Sequence, residues 1–306
     1  MTATLSIAGL SKTYPNGVRA LDGVTLAIPP GMFGLLGPNG AGKSTLMRTL
    51  ATLQDADAGR ATLGELDVLR DKDGVRRILG YLPQDFGVYP KVSALEMLDH
   101  LARLKGLSDR GVRRDTVDAL LQQVNLWDVR RKALGGYSGG MRQRFGIAQA
   151  LLGDPRLVIV DEPTAGLDPE ERVRFHNLLA DIGESVIVIL STHIVSDVSD
   201  LCARMAIIHR GRVLIEGEPA LFTRSIEGRV WQKAIARSDL EAARAAYPVI
   251  STRLLAGRTL VHVIGDEPPA TGFVPVEATL EDVYFAAIAG RHPDLPALAS
   301  PEREAA

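Results

Sequence analysis

Gly37-Pro38-Asn39-Gly40-Ala41-Gly42-Lys43-Ser44 is the stretch that decides how the rest of this chain is read. It fits the spacing G-x-x-x-x-G-K-[ST], which carries chemistry only between a strand and a helix. The flanks supply that setting. Met32-Phe33-Gly34-Leu35-Leu36 reads as a buried strand, and Thr45-Leu46-Met47-Arg48-Thr49-Leu50 reads as a helix. Backbone N–H groups of such a turn and the positive end of the helix converge on an anion, and glycines let the backbone approach phosphate oxygens closely. Lys43 adds a mobile charge for the outer phosphates, and the Ser44 hydroxyl is placed for Mg²⁺. A flexible loop before a helix is the plain alternative. The fixed residue types and the right flanks favour a nucleotide site over residues 37–45, with Thr45 included.

Working outward, residues 4–36 read as short strands and turns, with alternation in Val24-Thr25-Leu26-Ala27-Ile28 and turn signals at Asn16-Gly17 and Pro29-Pro30-Gly31. From about Ser93 to Val124 the period changes to 3.6. Ala94, Leu95, Leu98, Leu101 and Ala102 make one apolar stripe, and Val117, Leu120, Leu121 and Val124 another. Apolar runs at 78–82, 157–160, 186–190, 205–208 and 213–215 read as strands alternating with helices, which predicts a parallel sheet covered on its faces. A boundary is expected near Pro219–Ser225. Beyond it, Val230-Trp231, Val249-Ile250 and Leu260-Val261-His262-Val263 suggest strands around a helix at 240–246, and Thr279 with Asp282 resembles a capping pair opening a last helix. The expected organisation is a domain over 1–220 with a helical insert at about 85–152, a small α+β module over 221–290, and a disordered tail over 291–306.

A phosphate loop alone does not distinguish a kinase, a GTPase and a motor. Leu157-Val158-Ile159-Val160 ends in Asp161-Glu162, and alternation along a strand sends the two acids in different directions. Asp161 suits the Mg²⁺ shell, and Glu162 suits a general base facing water. Two solvated acids at a strand end are the bland reading, which the phosphate loop disfavours. Tyr137-Ser138-Gly139-Gly140 is a second Gly-rich turn that opens a helix. Ser138, Gly139 and Gly140 could donate to a phosphate there, or Ser138 could be an ordinary N-cap.

Together with Ala165-Gly166-Leu167-Asp168 and Thr192-His193, these segments resemble the motif set of ABC-transporter ATPases in family order, over about residues 4–220. The resemblance implies a P-loop NTPase core of the ABC type with an antiparallel β subdomain, a helical insert and the added C-terminal α+β module. It also implies a head-to-tail homodimer, each ATP lying between the phosphate loop of one copy and the Ser138 turn of the other. Tyr14 would stack on adenine, although alone it is equally a packed aromatic. Gln84 would join Mg²⁺ and water, and His193 would contact the terminal phosphate. Asp168 would communicate across the dimer while also serving as a cap ahead of Pro169. Met141 stands where the family usually has Gln, while Ser138, Gly139 and Gly140 keep the phosphate donors of that motif.

The composition narrows the class. Net charge is −2, with 35 basic and 37 acidic residues, which leaves no basic footprint for nucleic acid. The single cysteine, Cys202, excludes an internal disulfide and sits in a setting suited to a small buried hydrophobe. No apolar run approaches the roughly 20 residues needed to cross a bilayer, and the first residues lack signal-peptide character. The expectation is a cytoplasmic ATPase subunit that reaches the membrane through separate permease chains. The segments 82–90 and Leu280-Glu281-Asp282-Val283-Tyr284 resemble subunits of exporters for drugs and related molecules. A soluble ABC ATPase acting on a protein complex and an importer subunit are the alternatives.

Overall fold

A computed structural model describes residues 4–184 and 186–291; the expected disordered tail lies outside the described residues except for Arg291. The chain begins with β1 (Leu5–Thr13), β2 (Arg19–Ile28) and β3 (Gly31–Leu36), and the phosphate loop leads into α1 (Lys43–Leu50). There follow β4 (Ala58–Leu63), β5 (Leu66–Asp67), α2 (Lys72–Ile78) and β6 (Leu79–Leu82). Strands β2-β1-β4-β5 form an antiparallel sheet. Its buried residues alternate, with Leu5 and Ile7 of β1 and Val24, Leu26 and Ile28 of β2 facing one side. That face packs over Leu46, Met47 and Leu50 of α1, so the antiparallel sheet and the phosphate-loop helix share one core.

The helical insert contains α3 (Ala94–Leu104), α4 (Arg110–Gln123) and α5 (Gly139–Ala150). Ser93 and Glu96 cap α3 reciprocally, and Asp109 caps α4 through the Val112 N–H. The two stripes expected from the sequence meet in the core: Ala94, Leu98 and Ala102 join Val117, Leu120, Leu121 and Val124. Next come β7 (Leu157–Asp161), α6 (Pro169–Gly183), β8 (Ile187–Thr192), α7 (Val195–Leu201), β9 (Arg204–His209) and β10 (Arg212–Gly217). The central sheet runs β10-β9-β3-β8-β7-β6, parallel from β9 to β6, with β10 antiparallel at the edge. Every residue of β7 and of β8 is buried, as strands covered on both faces require. Ile78 closes α2 rather than opening β6, which begins one residue later, at Leu79.

Pro219–Ser225, where the composition suggests a boundary, is helix α8, with Pro at its first turn and Phe222 buried. The chain then forms β11 (Val230–Ile235), α9 (Leu240–Ala246), β12 (Val249–Leu255), β13 (Arg258–Ile264), β14 (Val274–Pro275) and α10 (Leu280–Ile288). A four-stranded antiparallel sheet runs β12-β13-β11-β14. Thr279 and Asp282 form a capping box at α10, and α10 packs on α7 and α8. Val198, Cys202 and Met205 therefore share a core with Phe222, Ile226, Leu280 and Val283. Burial, with the nearby Asp197 charge as a lesser cause, pushes the Cys202 thiol up to about 12, as befits a buried hydrophobe.

Candidate functional site

The phosphate loop bends where only glycine bends easily. Gly40 and Gly42 have φ of +77° and +108°, and a Cβ on Gly42 would lie 2.3 Å from the Ala20 carbonyl oxygen. A Cβ on Gly37 would lie 2.4 Å from the Ile208 oxygen. The loop is thus wedged between β2 and β9. The Gly211 N–H, in the β9–β10 turn, donates to Ala41 O at 2.9 Å. Gly42 offers no side chain to cap α1, so the first amides of that helix keep their donors for an anion.

A cleft of about 630 Å³ opens over this loop, lined by Tyr14, Val18, Arg19, Ala20, residues 38–45, Gln84, Glu162 and Arg210. Lys43 is only 5% exposed; its Nζ donates to Gly37 O at 2.7 Å and to Pro38 O at 3.3 Å. The same ammonium lies 3.4 Å from Glu162 Oε1, while His193 Nδ1 lies 3.1 Å from Glu162 Oε2. One carboxylate therefore stands between the loop cation and the histidine at the end of β8. Glu162 reaches that place through a left-handed backbone, φ +50°, held by its N–H donating to Ser191 O at 2.8 Å. Strand alternation predicts two diverging acids; the turn after Asp161, rather than the pleat, is what separates them. A β-carbon residue in that region is strained, and strain of this kind collects where geometry is functional.

Asp161 closes β7 with 3% exposure, and its Oδ1 is buried without a hydrogen-bond partner. Tyr81 on the neighbouring strand has its phenol pushed up, first by burial and then by the Asp161 charge. No group of three or more His, Cys, Asp and Glu able to hold a metal occurs among the described residues. The donor set here is of a different kind. An unpaired carboxylate oxygen, the Ser44 hydroxyl and the Gln84 amide oxygen are the hard oxygen donors that Mg²⁺ takes alongside phosphate and water.

Other residues singled out in the sequence fall elsewhere. Ser138, Gly139 and Gly140 do not line the cleft of their own chain. Ser138 is the N-cap of α5, its Oγ accepting from Met141 N at 3.2 Å. The Met141 side chain packs against the main core, a role for which a thioether is better suited than an amide. Gly140 sits against the Glu171 side chain, which would have to move to admit a Cβ, since its Oε2 would lie 2.3 Å away. Asp168 caps α6 by accepting from Glu171 N at 2.9 Å, ahead of Pro169. Tyr14 does line the cleft, and its hydroxyl lies 3.2 Å from both Thr45 Oγ1 and Gln54 Oε1. Arg19 and Arg210 were not anticipated: they reach the cleft from β2 and from the β9–β10 turn, which no local motif announces.

A family model described as ABC transporter matches residues 21–165. The daunorubicin/doxorubicin resistance ATP-binding protein DrrA of Streptomyces peucetius is 38% identical over 249 residues, covering 79% of this chain and 74% of that one. The uncharacterized ABC transporter ATP-binding protein YxlF of Bacillus subtilis is 33% identical over 297 residues, covering 92% of this chain and 98% of that one. Among solved structures, the dimeric post-hydrolysis state of the ATP-binding cassette MJ0796 bound to ADP and Pi superposes with a TM-score of 0.63. It is 26% identical, with 70% of this chain and 98% of that chain covered. A cleft lined by the phosphate loop, Gln84 and Glu162, with His193 against Glu162 and Asp161 buried at the end of β7, agrees with these likenesses, and the chain belongs to the ABC transporter family as an ATP-binding, ATP-hydrolysing subunit.

Proposed function

We propose that this chain hydrolyses ATP as a head-to-tail pair and drives export of drugs or other small molecules through separate permease chains. The observation that carries the reading is that Glu162, which lines the cleft, stands between Lys43 and His193. In this reading residues 37–45 and Tyr14 hold the nucleotide, with Lys43 moving from its loop carbonyls to the outer phosphates. Glu162 takes a proton from water as the water oxygen bonds to the γ-phosphorus. The bond to the bridging oxygen breaks, and ADP leaves with that electron pair. Loop amides and Lys43 offset the growing charge, and His193 braces the transferring phosphate. Ser44, Gln84 and Asp161 would hold Mg²⁺, which supplies charge neutralisation when bound.

The pairing is supported by the position of the Ser138 turn outside its own cleft, with Ser138 and Gly139 exposed. Ser138, Gly139 and Gly140 then serve the nucleotide held by the other copy, and Asp168 lies along the same contact. A groove of about 900 Å³ on the insert, lined by Leu95, Asp99, Arg103, Arg110 and Arg113 among others, supports docking of permease helices there. Tyr89 and Leu104 are exposed on the same segment. No described helix is long and apolar enough to cross a membrane, in keeping with a subunit that borrows its membrane path at the cytoplasmic face. Export of drugs is supported by the naming of relatives such as DrrA as resistance proteins. Residues 221–290 form the added module in this organisation.

The test is Glu162→Gln. Turnover should fall by about 10²–10⁴-fold, the usual worth of a positioned base, while ATP binding persists and light scattering reports a mass of two chains with ATP. Normal turnover, or a single-chain mass throughout, overturns the reading. Co-purification with a multi-span permease from mild detergent is expected; a soluble complex in its place would point to a different coupling.

A further inference from the structure

Asp197 is a fully buried carboxylate that the reaction above does not use, with 0% exposure in α7. Its two oxygens are divided between different parts of the fold. Oδ1 accepts from Arg172 Nε at 2.9 Å and from the second guanidinium nitrogen, and His176 Nε2 lies 2.9 Å from it; both partners belong to α6. Oδ2 accepts from Thr164 Oγ1 at 2.6 Å and from Thr192 Oγ1 at 3.3 Å. Thr164 lies two residues after Glu162, and Thr192 immediately precedes His193. The Thr192 oxygen in turn accepts from the Ile194 N–H at 3.0 Å, so the backbone on both sides of His193 is fastened to one hydroxyl.

A carboxylate withdrawn from water is tolerated when its lone pairs are taken by donors, and such a network is rigid once complete. Here the donors come from the turn carrying His193, the turn carrying Glu162 and the helix that Asp168 caps. The helix bearing Asp197 is itself pinned, because Gly34 of β3 leaves no room for a Cβ beside Val198, 2.7 Å from Cγ1. β3 runs directly into the phosphate loop.

We infer that Asp197 is the positioning residue that holds His193 in register with Glu162, making the β8 turn, the β7 turn and the start of α6 one rigid unit. This rests on the roles given above to His193 and Glu162. The role is one of placement: Asp197 touches no nucleotide and acts through His193. Its removal lets the His193 turn drift, and displacement of about an ångström at a reacting centre is enough to cost about 100-fold.

The experiment is a double-mutant cycle on the full chain, reading kcat, KM and ATP affinity for Asp197→Asn, His193→Ala and the pair. Asp197→Asn should lower kcat by about 10- to 100-fold with ATP affinity within about twofold, and should add less than about twofold once His193 is absent. An unchanged kcat for Asp197→Asn, or an equal loss in both backgrounds, overturns the proposal. His193→Ala alone separates the two layers: if it leaves turnover intact, the role of His193 itself is wrong. If Asp197→Asn does not fold, Thr192→Val removes one donor only and should lower kcat about threefold to tenfold, again only with His193 present; no loss, or the same loss without His193, overturns the proposal.

Discussion

The N-termini of α1 and α5 are both opened by glycines, yet they are finished differently. At α1 the cap residue is Gly42, in a left-handed conformation and without a side chain to satisfy the first amides. At α5 the cap is Ser138, whose hydroxyl already accepts from Met141 N. A third helix start, α10, is closed completely by the Thr279–Asp282 box. The series runs from open to half-closed to sealed. A helix start left open keeps donors for an anion, one held by a single hydroxyl can exchange that bond, and a sealed one is structural. The first two suit, in that order, an anion bound in the chain's own cleft and one presented by a second copy.

The sharpest way to break this comparison is to measure ATP affinity by calorimetry on single chains. Lys43→Ala should weaken binding by about 10- to 100-fold, the worth of a charge-assisted contact; affinity equal to the parent would remove the loop from the site. Next in size is a pair of glycine changes. Gly42→Ala forces a Cβ into φ +108° and against Ala20 O, which should cost about 1–3 kcal/mol in denaturant unfolding from the backbone alone. Gly139→Ala meets nothing within 4 Å and carries no positive φ, so its unfolding midpoint should match the parent. If both variants unfold alike, the two turns are not built differently after all.

Ser138→Ala comes third. Loss of the cap should cost about 1 kcal/mol of stability, with single-chain ATP affinity unchanged within about twofold and turnover reduced. A drop in single-chain affinity would place Ser138 in the cleft of its own chain. The smallest effect concerns α10. Burial alone would raise the Asp282 carboxyl, but its bonds from His262 and Thr279 hold it below the usual carboxylate value. A lowered carboxylate contributes stability above the unfolded value of about 3.9 and loses it as pH falls through the lower folded value. The melting-temperature gap between the parent and Asp282→Asn should therefore be constant from pH 5 to 8 and narrow below about pH 4. A gap that stays the same down to pH 2 would remove the carboxylate from this account.

Much of the central architecture was readable because its signals are local. The loop glycines, the apolar strand before them and the 3.6 stripes of α3 and α4 each dictate one element with little help from the rest. Side-chain groups that meet only through the sheet were not readable. Arg210 sits on a turn with no motif, and that turn reaches the phosphate loop because β9 pairs with β3 and Gly211 N–H donates to Ala41 O. The role of Glu162 is legible, but its left-handed backbone and its place between Lys43 and His193 are not, and the buried Asp197 is hidden, since an acid in a short polar helix normally signals solvent. Pattern also left the local structure of Pro219–Ser225 open: the segment is a helix with Phe222 buried.

The packing of α10 on α7 has a consequence for biosynthesis. Val198, directly downstream of the His193 turn, is covered in part by a helix that leaves the ribosome some 80 residues later. Until that helix emerges, the nascent polypeptide presents an uncovered apolar strip beside its most important turn. Chains stalled short of α10 would be targets for chaperones and proteases, so only a fully translated copy is spared to join a partner.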